Sequence, residues 1–333
     1  MDKKHKFLIL SILISLLFLY LAVRKIDIDE VKMSLRMAHY PYLLAGSLFM
    51  VLSFLVRGLR WKLILSPIKN CRFLSVFSVL VIGFMANNLL PFRVGEFARA
   101  YLNGKKEEIS KSSSLATIGV ERIFDGLSIL IILFAISFIL SFPHWARHLT
   151  LVATLLFVGA LIFVYTLTIK ESFSLNLLKR FMKIMPEGLR IKISRLLDSF
   201  VLGLKIFHRI DQMILLLLIS VVIWLCDALI FYSVSLALQL NMGYVGALFT
   251  LVIVALGIMI PSSPGYIGVY EYFTILSLSL FGIAKSEALT YAVLVHFVQF
   301  TVIFIGGMWF LTKENISLMD LKKFENKEVT TTG

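Results

Sequence analysis

Ionisable side chains in an otherwise apolar chain mark the places where chemistry can occur, and two runs concentrate them. Residues 87–99 read Asn-Asn-Leu-Leu-Pro-Phe-Arg-Val-Gly-Glu-Phe-Ala-Arg, so Arg93, Glu96 and Arg99 follow Asn87 and Asn88 around a break at Pro91 and Gly95. A guanidinium presents a fork of donors suited to phosphate, and a helix restarting after Pro91 adds its own amides to an anion site. Glu96 and Arg99, three apart, are spaced to pair on that helix, which leaves Arg93 unpaired locally, and Arg93 or Arg99 is expected to face the phosphate. The other reading makes all three charges interfacial anchors of the segment. Residues 261–271 read Pro-Ser-Ser-Pro-Gly-Tyr-Ile-Gly-Val-Tyr-Glu. Here Pro261, Pro264, Gly265 and Gly268 break the backbone, Ser262 and Ser263 offer hydroxyls, and Glu271 is a carboxylate for a proton or a headgroup amine. Pairing of Glu271 with an arginine from elsewhere is the alternative.

A third cluster is Glu121-Arg122-Ile-Phe-Asp125. Glu121 and Asp125 share one helix face, an unfavourable pair without a cation between them, which Arg122, Arg93 or Arg99 can supply. A charge network locking two segments, contact with a substrate, and a carboxylate proton relay all fit this spacing. Asp227 must look inward from its apolar run. His296 with Gln299 reads as helix packing, and no spacing of histidines and carboxylates suggests a metal. Cys71 and Cys226 form neither a disulfide framework nor a zinc pattern.

The elements that position these residues are membrane spans. The chain is 59% hydrophobic and 16% charged, with a mean hydropathy of +0.90. Its apolar runs exceed the length of a buried soluble helix, so the fold is all-α and polytopic. The formal charge of +13 falls in loops, where it orients spans rather than binding nucleic acid. Full spans are expected at Phe7–Val23, Tyr42–Val56, Leu115–Leu140, Leu149–Ile169, Met213–Leu238 and Ala288–Thr312. The first is read as an uncleaved span, because no small-residue cleavage site follows it. A cytoplasmic N-terminus places Arg57, Arg60, Lys62, Lys69, Arg72, Lys105, Lys106, Lys111 and the basic segment 170–209 inside, and the C-terminal tail with them.

That charge count holds only if residues 73–104 and 245–284 each enter and leave on one side, as broken or re-entrant hairpins. Backbone freed by Pro and Gly cannot face lipid, so both breaks must be buried in protein or line a wet cavity. Pro91 and Gly95 have the spacing of Pro264 and Gly268, and the two hairpins enter from opposite sides. The layout is an inverted repeat, about 42–140 and 213–312, within one membrane domain spanning 1–315; such repeats place transport sites at their interface. Between them, Ile193, Leu196, Leu197, Phe200, Leu204 and Phe207 recur at helical spacing, as a cytoplasmic interfacial helix or a solvated connector. Residues 316–333 are expected to form a disordered cytoplasmic tail.

The runs from Gly83 to Leu102, Glu121 to Asp125 and Pro261 to Glu271 resemble, in order, the motifs of the lysylphosphatidylglycerol synthase transmembrane region family, also called the flippase-like domain family. The resemblance covers about residues 5–315. It implies translocation of a phospholipid or polyprenyl-linked lipid across the cell membrane, with Asn88, Pro91, Arg93, Gly95, Glu96, Arg99, Glu121, Arg122, Asp125, Pro264, Gly265, Gly268 and Glu271 as the matched positions. The soluble lysyl-transferase domain of the best-known members has no counterpart in the roughly twenty residues after the last span, so no enzyme activity and no cofactor is expected. A lipid translocase is the leading expectation. A non-catalytic partner of a glycosyltransferase or lipid synthase comes next, and a membrane-embedded enzyme last, since no acid, base and nucleophile stand together.

Overall fold

The computed structural model describes residues 3–90, 94–169, 209–317 and six positions between 194 and 204. All regular structure among the described residues is helical. Four helices are long and apolar enough to cross a membrane: α3 (Pro41–Leu65), α7 (His144–Ile169), α8 (Ile210–Ala237) and α11 (Lys285–Lys313). Ahead of them, α1 (Lys3–Val23) bends by 81° into the short amphipathic α2 (Ile28–Met37). Asp27 stops α1 and starts α2, its carboxylate accepting from the Asp29 amide at 2.8 Å. The sixth long helix, α6 (Lys111–Ser137), carries Glu121, Arg122 and Asp125 in its body and buries all or part of each. Four of the six expected spans lie inside their helices, while Leu115–Leu140 and Met213–Leu238 run past the ends of α6 at Ser137 and α8 at Ala237. By length and apolarity four helices, or five with the bent α1–α2 pair, can cross a membrane, and α6 is not among them.

Both expected hairpins are broken helix pairs. In the first, α4 (Phe73–Leu89) is followed by α5 (Val94–Glu107). In the second, α9 (Gly243–Gly257) leads through a 3-10 turn at Pro264–Tyr266 to α10 (Val269–Leu278). Pro91, Phe92 and Arg93 lie outside the described residues, as does nearly all of the expected interfacial helix, including Ile193 and Phe207, and the tail from 318.

Helices α3 and α8 run antiparallel, as the contacts between them require. Gly46 meets Ile230 and Ser233, Arg57 meets Asp227, and Arg60 meets Ser220, so one number rises as the other falls. The same test makes α4 and α11 antiparallel, with Phe77 on Phe310 and Val81 beside Gly306. Each contact within 41–137 has its counterpart within 210–313: α3 with α4 and α8 with α9, α5 with α6 and α10 with α11. Of the helices that correspond in this pairing, α3 and α8 pack head to tail, as an inverted repeat requires.

One expectation about the first unit needs correcting. Arg57 and Arg60 were assigned to a loop after Val56, but α3 continues to Leu65, and Trp61, Ile64 and Leu65 are fully buried. Both arginines are therefore interior side chains of a span. The apolar run stops at Val56 only because the helix there exchanges lipid for protein neighbours.

Candidate functional site

The approach of α4 to α5 is set by two glycines. A Cβ on Gly95 would overlap the Gly83 carbonyl oxygen and stand 2.6 Å from Asn87 Oδ1, and one on Gly83 would overlap the Arg99 side chain. That closeness lets Arg99 fold inward across α4, where its guanidinium lies 4.1 Å over the Trp61 ring. Phe84 sits within 6 Å of three guanidiniums, those of Arg57, Arg99 and Arg122 (5.8, 5.8 and 5.9 Å).

Those three arginines and Arg60 face an equal set of carboxylates. Arg99 Nη2 lies 2.6 Å from Glu121 Oε2, and Arg60 reaches Asp125 at 2.6 Å, Ser220 at 2.7 Å and Glu121 at 3.5 Å. Arg122 lies 3.2 Å from Glu96 and 3.5 Å from Asp125, while Arg57 pairs with Asp227, which also accepts from Ser53. The spacing of Glu96 and Arg99 on one helix suggested that they pair with each other. Instead α6 presents Glu121 and Arg122 to α5, and the two pairs form across the helix interface. The cation between Glu121 and Asp125 is Arg60, which the charge pattern had placed in a loop. Four guanidiniums and four carboxylates balance, as buried charge must.

Part of this network borders a cavity of about 210 Å³, well beyond the space one water needs. Helices α3, α4, α5, α6, α8, α9, α10 and α11 all contribute to its wall. Its polar lining is Asn87, Asn88, Glu96, Arg57, Arg122, Asp227, His296 and Gln299; Trp224, Tyr266 and Tyr270 supply aromatic surface with polar tips. Trp224 Nε1 is buried and has no protein acceptor among the described residues, nor has Asn87 Oδ1 a donor. Gln299 is the midpoint of α11. By helix rise it stands about 21 Å from either end, so the cavity lies deep within the span.

The second break closes one side of this cavity. Gly265 approaches the Asn88 carbonyl, bringing the turn onto the end of α4. Tyr266, which lines the cavity, holds a φ of 59°, and Gly268 one of 89°. A left-handed conformation costs a non-glycine residue about 1–2 kcal/mol, and such outliers gather at sites with a task. Ser15 of α1 accepts from the Ser263 amide at 2.7 Å, which satisfies backbone that would otherwise face lipid. Among the described residues Glu271 meets no arginine. Its Oε2 accepts from the Gly268 amide at 2.6 Å and its Oε1 lies 2.8 Å from His296 Nδ1. The His296 ring stacks on Tyr270 (centroids 4.3 Å apart), whose hydroxyl donates to Gln299 at 2.9 Å.

The structure thus brings Asn87, Asn88, Glu96 and Arg122 to the cavity wall, with Arg99, Glu121 and Asp125 in a layer behind them. Glu271 reaches the cavity through His296. Ser262 and Ser263 do not line it, and Arg93 lies outside the described residues. Reading the sequence missed Arg57, Trp224, Tyr266 and Tyr270, and read His296 as packing alone. The signal for Arg57 was present in Asp227, a buried charge 170 residues away that needed a cation. No group of three metal-ligating side chains occurs among the described residues.

A family model described as lysylphosphatidylglycerol synthase TM region matches residues 8–307. Similar proteins include a UPF0104 membrane protein of Methanocaldococcus jannaschii, 28% identical over 69% of this chain and 95% of its own length. A second UPF0104 membrane protein of that organism is 25% identical over 89% of this chain and 91% of its own length. Glycosyltransferase AglD of Haloferax volcanii is 26% identical over 93% of this chain, which spans 55% of that protein. No solved structure gives a significant match.

Proposed function

The chain belongs to the lysylphosphatidylglycerol synthase TM region family, and from that premise we propose that it is a translocase for a lipid with a phosphate-bearing headgroup. The observation that carries this reading is the cavity built from both inverted units, deep in the span and lined by Arg57, Arg122, Asn87, Asn88 and the unpartnered Trp224 indole. A polar chamber between inverted repeats is where alternating access places a substrate. The lining charges balance, so an arriving phosphate shares Arg57 and Arg122 with carboxylates already bound to them. Binding is then modest, which suits a carrier that must also release. The apolar part of the wall, Met50, Phe54, Leu251 and Phe300 among others, matches a substrate that keeps its tails in the bilayer.

Reconstitution tests this directly. Purified protein in vesicles carrying NBD-phosphatidylglycerol is expected to accelerate movement between leaflets above protein-free vesicles, and Arg57→Ala is expected to reduce that rate at least tenfold. Equal rates with and without protein, across phospholipid and polyprenyl-phosphate probes, would overturn the reading.

The likeness to a glycosyltransferase favours a second one, in which this membrane domain positions such an enzyme at a lipid-borne substrate. Copurification of a glycosyltransferase whose activity fails without this chain, together with no lipid movement by the chain alone, selects it.

A further inference from the structure

We infer that Glu271 and His296 form a proton-binding site that couples proton movement to the second hairpin, an inference that rests on the translocase reading only for what the proton drives. The carboxylates of the interior divide into two kinds. Glu96, Glu121, Asp125 and Asp227 each pair with a guanidinium, a group that stays charged at any physiological pH. Glu271 faces an imidazole, the one side chain whose ordinary titration falls between pH 5 and 8. It is thus the carboxylate of the cavity region whose partner can itself take or lose a proton.

The fixed charges that share the cavity with His296 are paired with one another rather than with Glu271. On α10, Tyr270 stacks on His296, and Tyr272 packs on Phe18 of α1. Tyr291 of α11 donates to the Phe231 carbonyl. Across the cavity, Asp227 of α8 is held by Arg57 of α3, and Tyr266 of the break faces Arg122 of α6. α9 brings Thr250 onto Ser277 and α1 brings Ser15 onto Ser263, hydroxyls without charge. His296 lines the cavity, so its Nε2, away from Glu271, is where a proton arrives and leaves.

The same carboxylate also fixes the backbone. With Glu271 ionised, Oε2 caps the Gly268 amide at the start of α10, beside three residues of positive φ, Gly265, Tyr266 and Gly268. A proton entering at His296 Nε2 makes the ring a cation. Passing the Nδ1 proton to Oε1 leaves a neutral ring and a neutral acid, a far weaker acceptor for that amide. The cap loosens and the hairpin is free to move against α1 and α4. Return of the proton to the cavity, from the other face once the hairpin has moved, restores the carboxylate and the cap.

The test uses the full chain in vesicles of phosphatidylethanolamine and phosphatidylglycerol with a trace of NBD-phosphatidylglycerol, with and without a pH difference of one unit. For one proton per lipid the wild-type steady-state leaflet ratio is expected to shift by up to tenfold. In Glu271→Gln it is expected not to respond. A wild-type ratio indifferent to the gradient, or a Glu271→Gln variant that still responds, overturns proton coupling while leaving translocation standing. If the wild-type protein moves no lipid, the translocase reading fails instead, and hydrogen exchange at Gly268 decides the proton site alone. Its protection factor is expected to fall several-fold between pH 8 and pH 5 in the wild type and to stay flat in Glu271→Gln. A flat wild-type profile overturns the site. His296→Gln serves where Glu271→Gln does not fold, with the steepest part of the profile displaced from the imidazole range.

Discussion

The two broken hairpins solve one problem by opposite means. In the first, the region after the break is braced by charge: Arg99 and Glu96 on α5 grip Glu121 and Arg122 on α6, and Arg60 joins the cluster from α3. In the second, the break is held by glycine geometry, a serine hydroxyl from α1 and one carboxylate cap. Guanidinium–carboxylate pairs at 2.6 Å are charge-assisted hydrogen bonds that resist separation. A capped turn rich in positive φ can change state for one proton or one strained dihedral. On the proton-site proposal the first hairpin is the fixed wall and the second the movable one, a division of labour that two similarly built hairpins do not by themselves require.

The sharpest way to break this contrast is to take the fixed wall apart. Arg60 is fully buried between Asp125 and Glu121. Arg60→Leu leaves two interior carboxylates short of a cation, and removing one partner of a buried ion cluster costs about 3–5 kcal/mol. Unfolding in detergent followed by denaturant titration is expected to show a loss of that size, or no folded protein. A loss below about 1 kcal/mol would show that water reaches the cluster and that the wall is not held by charge.

The movable side is addressed by two glycines that separate crowding from dihedral strain. A Cβ on Gly268 would overlap the Ser15 carbonyl, stand 2.8 Å from the Leu19 amide nitrogen, and adopt a φ of 89°. Gly268→Ala combines overpacking of about 1–3 kcal/mol with left-handed strain of about 1–2 kcal/mol. Gly265, with a φ of 71°, has its nearest neighbour at an ordinary 3.5 Å. Gly265→Ala therefore carries the dihedral cost alone. Thermal unfolding of both variants is expected to rank Gly268→Ala well below Gly265→Ala. Equal losses would mean that α1 moves aside freely, so that its contact with the break holds nothing.

How far these regions were legible follows from the same difference. Pro91, Pro264 and Gly268 announce breaks because the backbone they free cannot be left facing lipid, and both hairpins sit where the apolar runs put them. Gly95, expected to break the chain as well, is helical within α5 and serves instead the close approach to Gly83. Partners were the hidden part. Arg99 and Glu121 are 22 positions apart, Glu271 and His296 are 25, and Arg57 and Asp227 are 170. Local spacing offered Glu96 to Arg99, a pair the α5–α6 interface replaces with two others, Arg99 with Glu121 and Arg122 with Glu96. Arg57 and Arg60 looked like a loop boundary because a helix leaving lipid for a protein interior shows the same drop in hydropathy as a helix leaving the membrane. Asp227 and Glu271 as lone charges, and Glu121 with Asp125 as a like-charged pair, carried in the sequence itself a demand for something to meet them.

The smallest expected effect lies at the rim, where it also protects the interpretation of pH experiments on the movable hairpin. Lys106, near the end of α5, pairs with Glu314 just past α11, and Ser78 of α4 donates to the same carboxylate at 2.9 Å. Partial burial pushes the Glu314 carboxyl up, but the hydrogen bonds from Lys106 and Ser78 and the nearby lysines outweigh it, so its pKa lies below the ordinary glutamate value. A carboxyl depressed on folding stabilises above its unfolded pKa, about 4.3, and that contribution fades only as the pH falls further. The pair is partly exposed, so Glu314→Gln is expected to cost no more than about 1 kcal/mol at pH 7. A double-mutant cycle with Lys106→Met, read by thermal unfolding at pH 7 and pH 5, is expected to give the same small coupling at both. The rim is thus silent across the window in which an imidazole titrates. A coupling that vanished between pH 7 and pH 5 would move the acid-sensitive element from the Glu271–His296 pair to the end of α11.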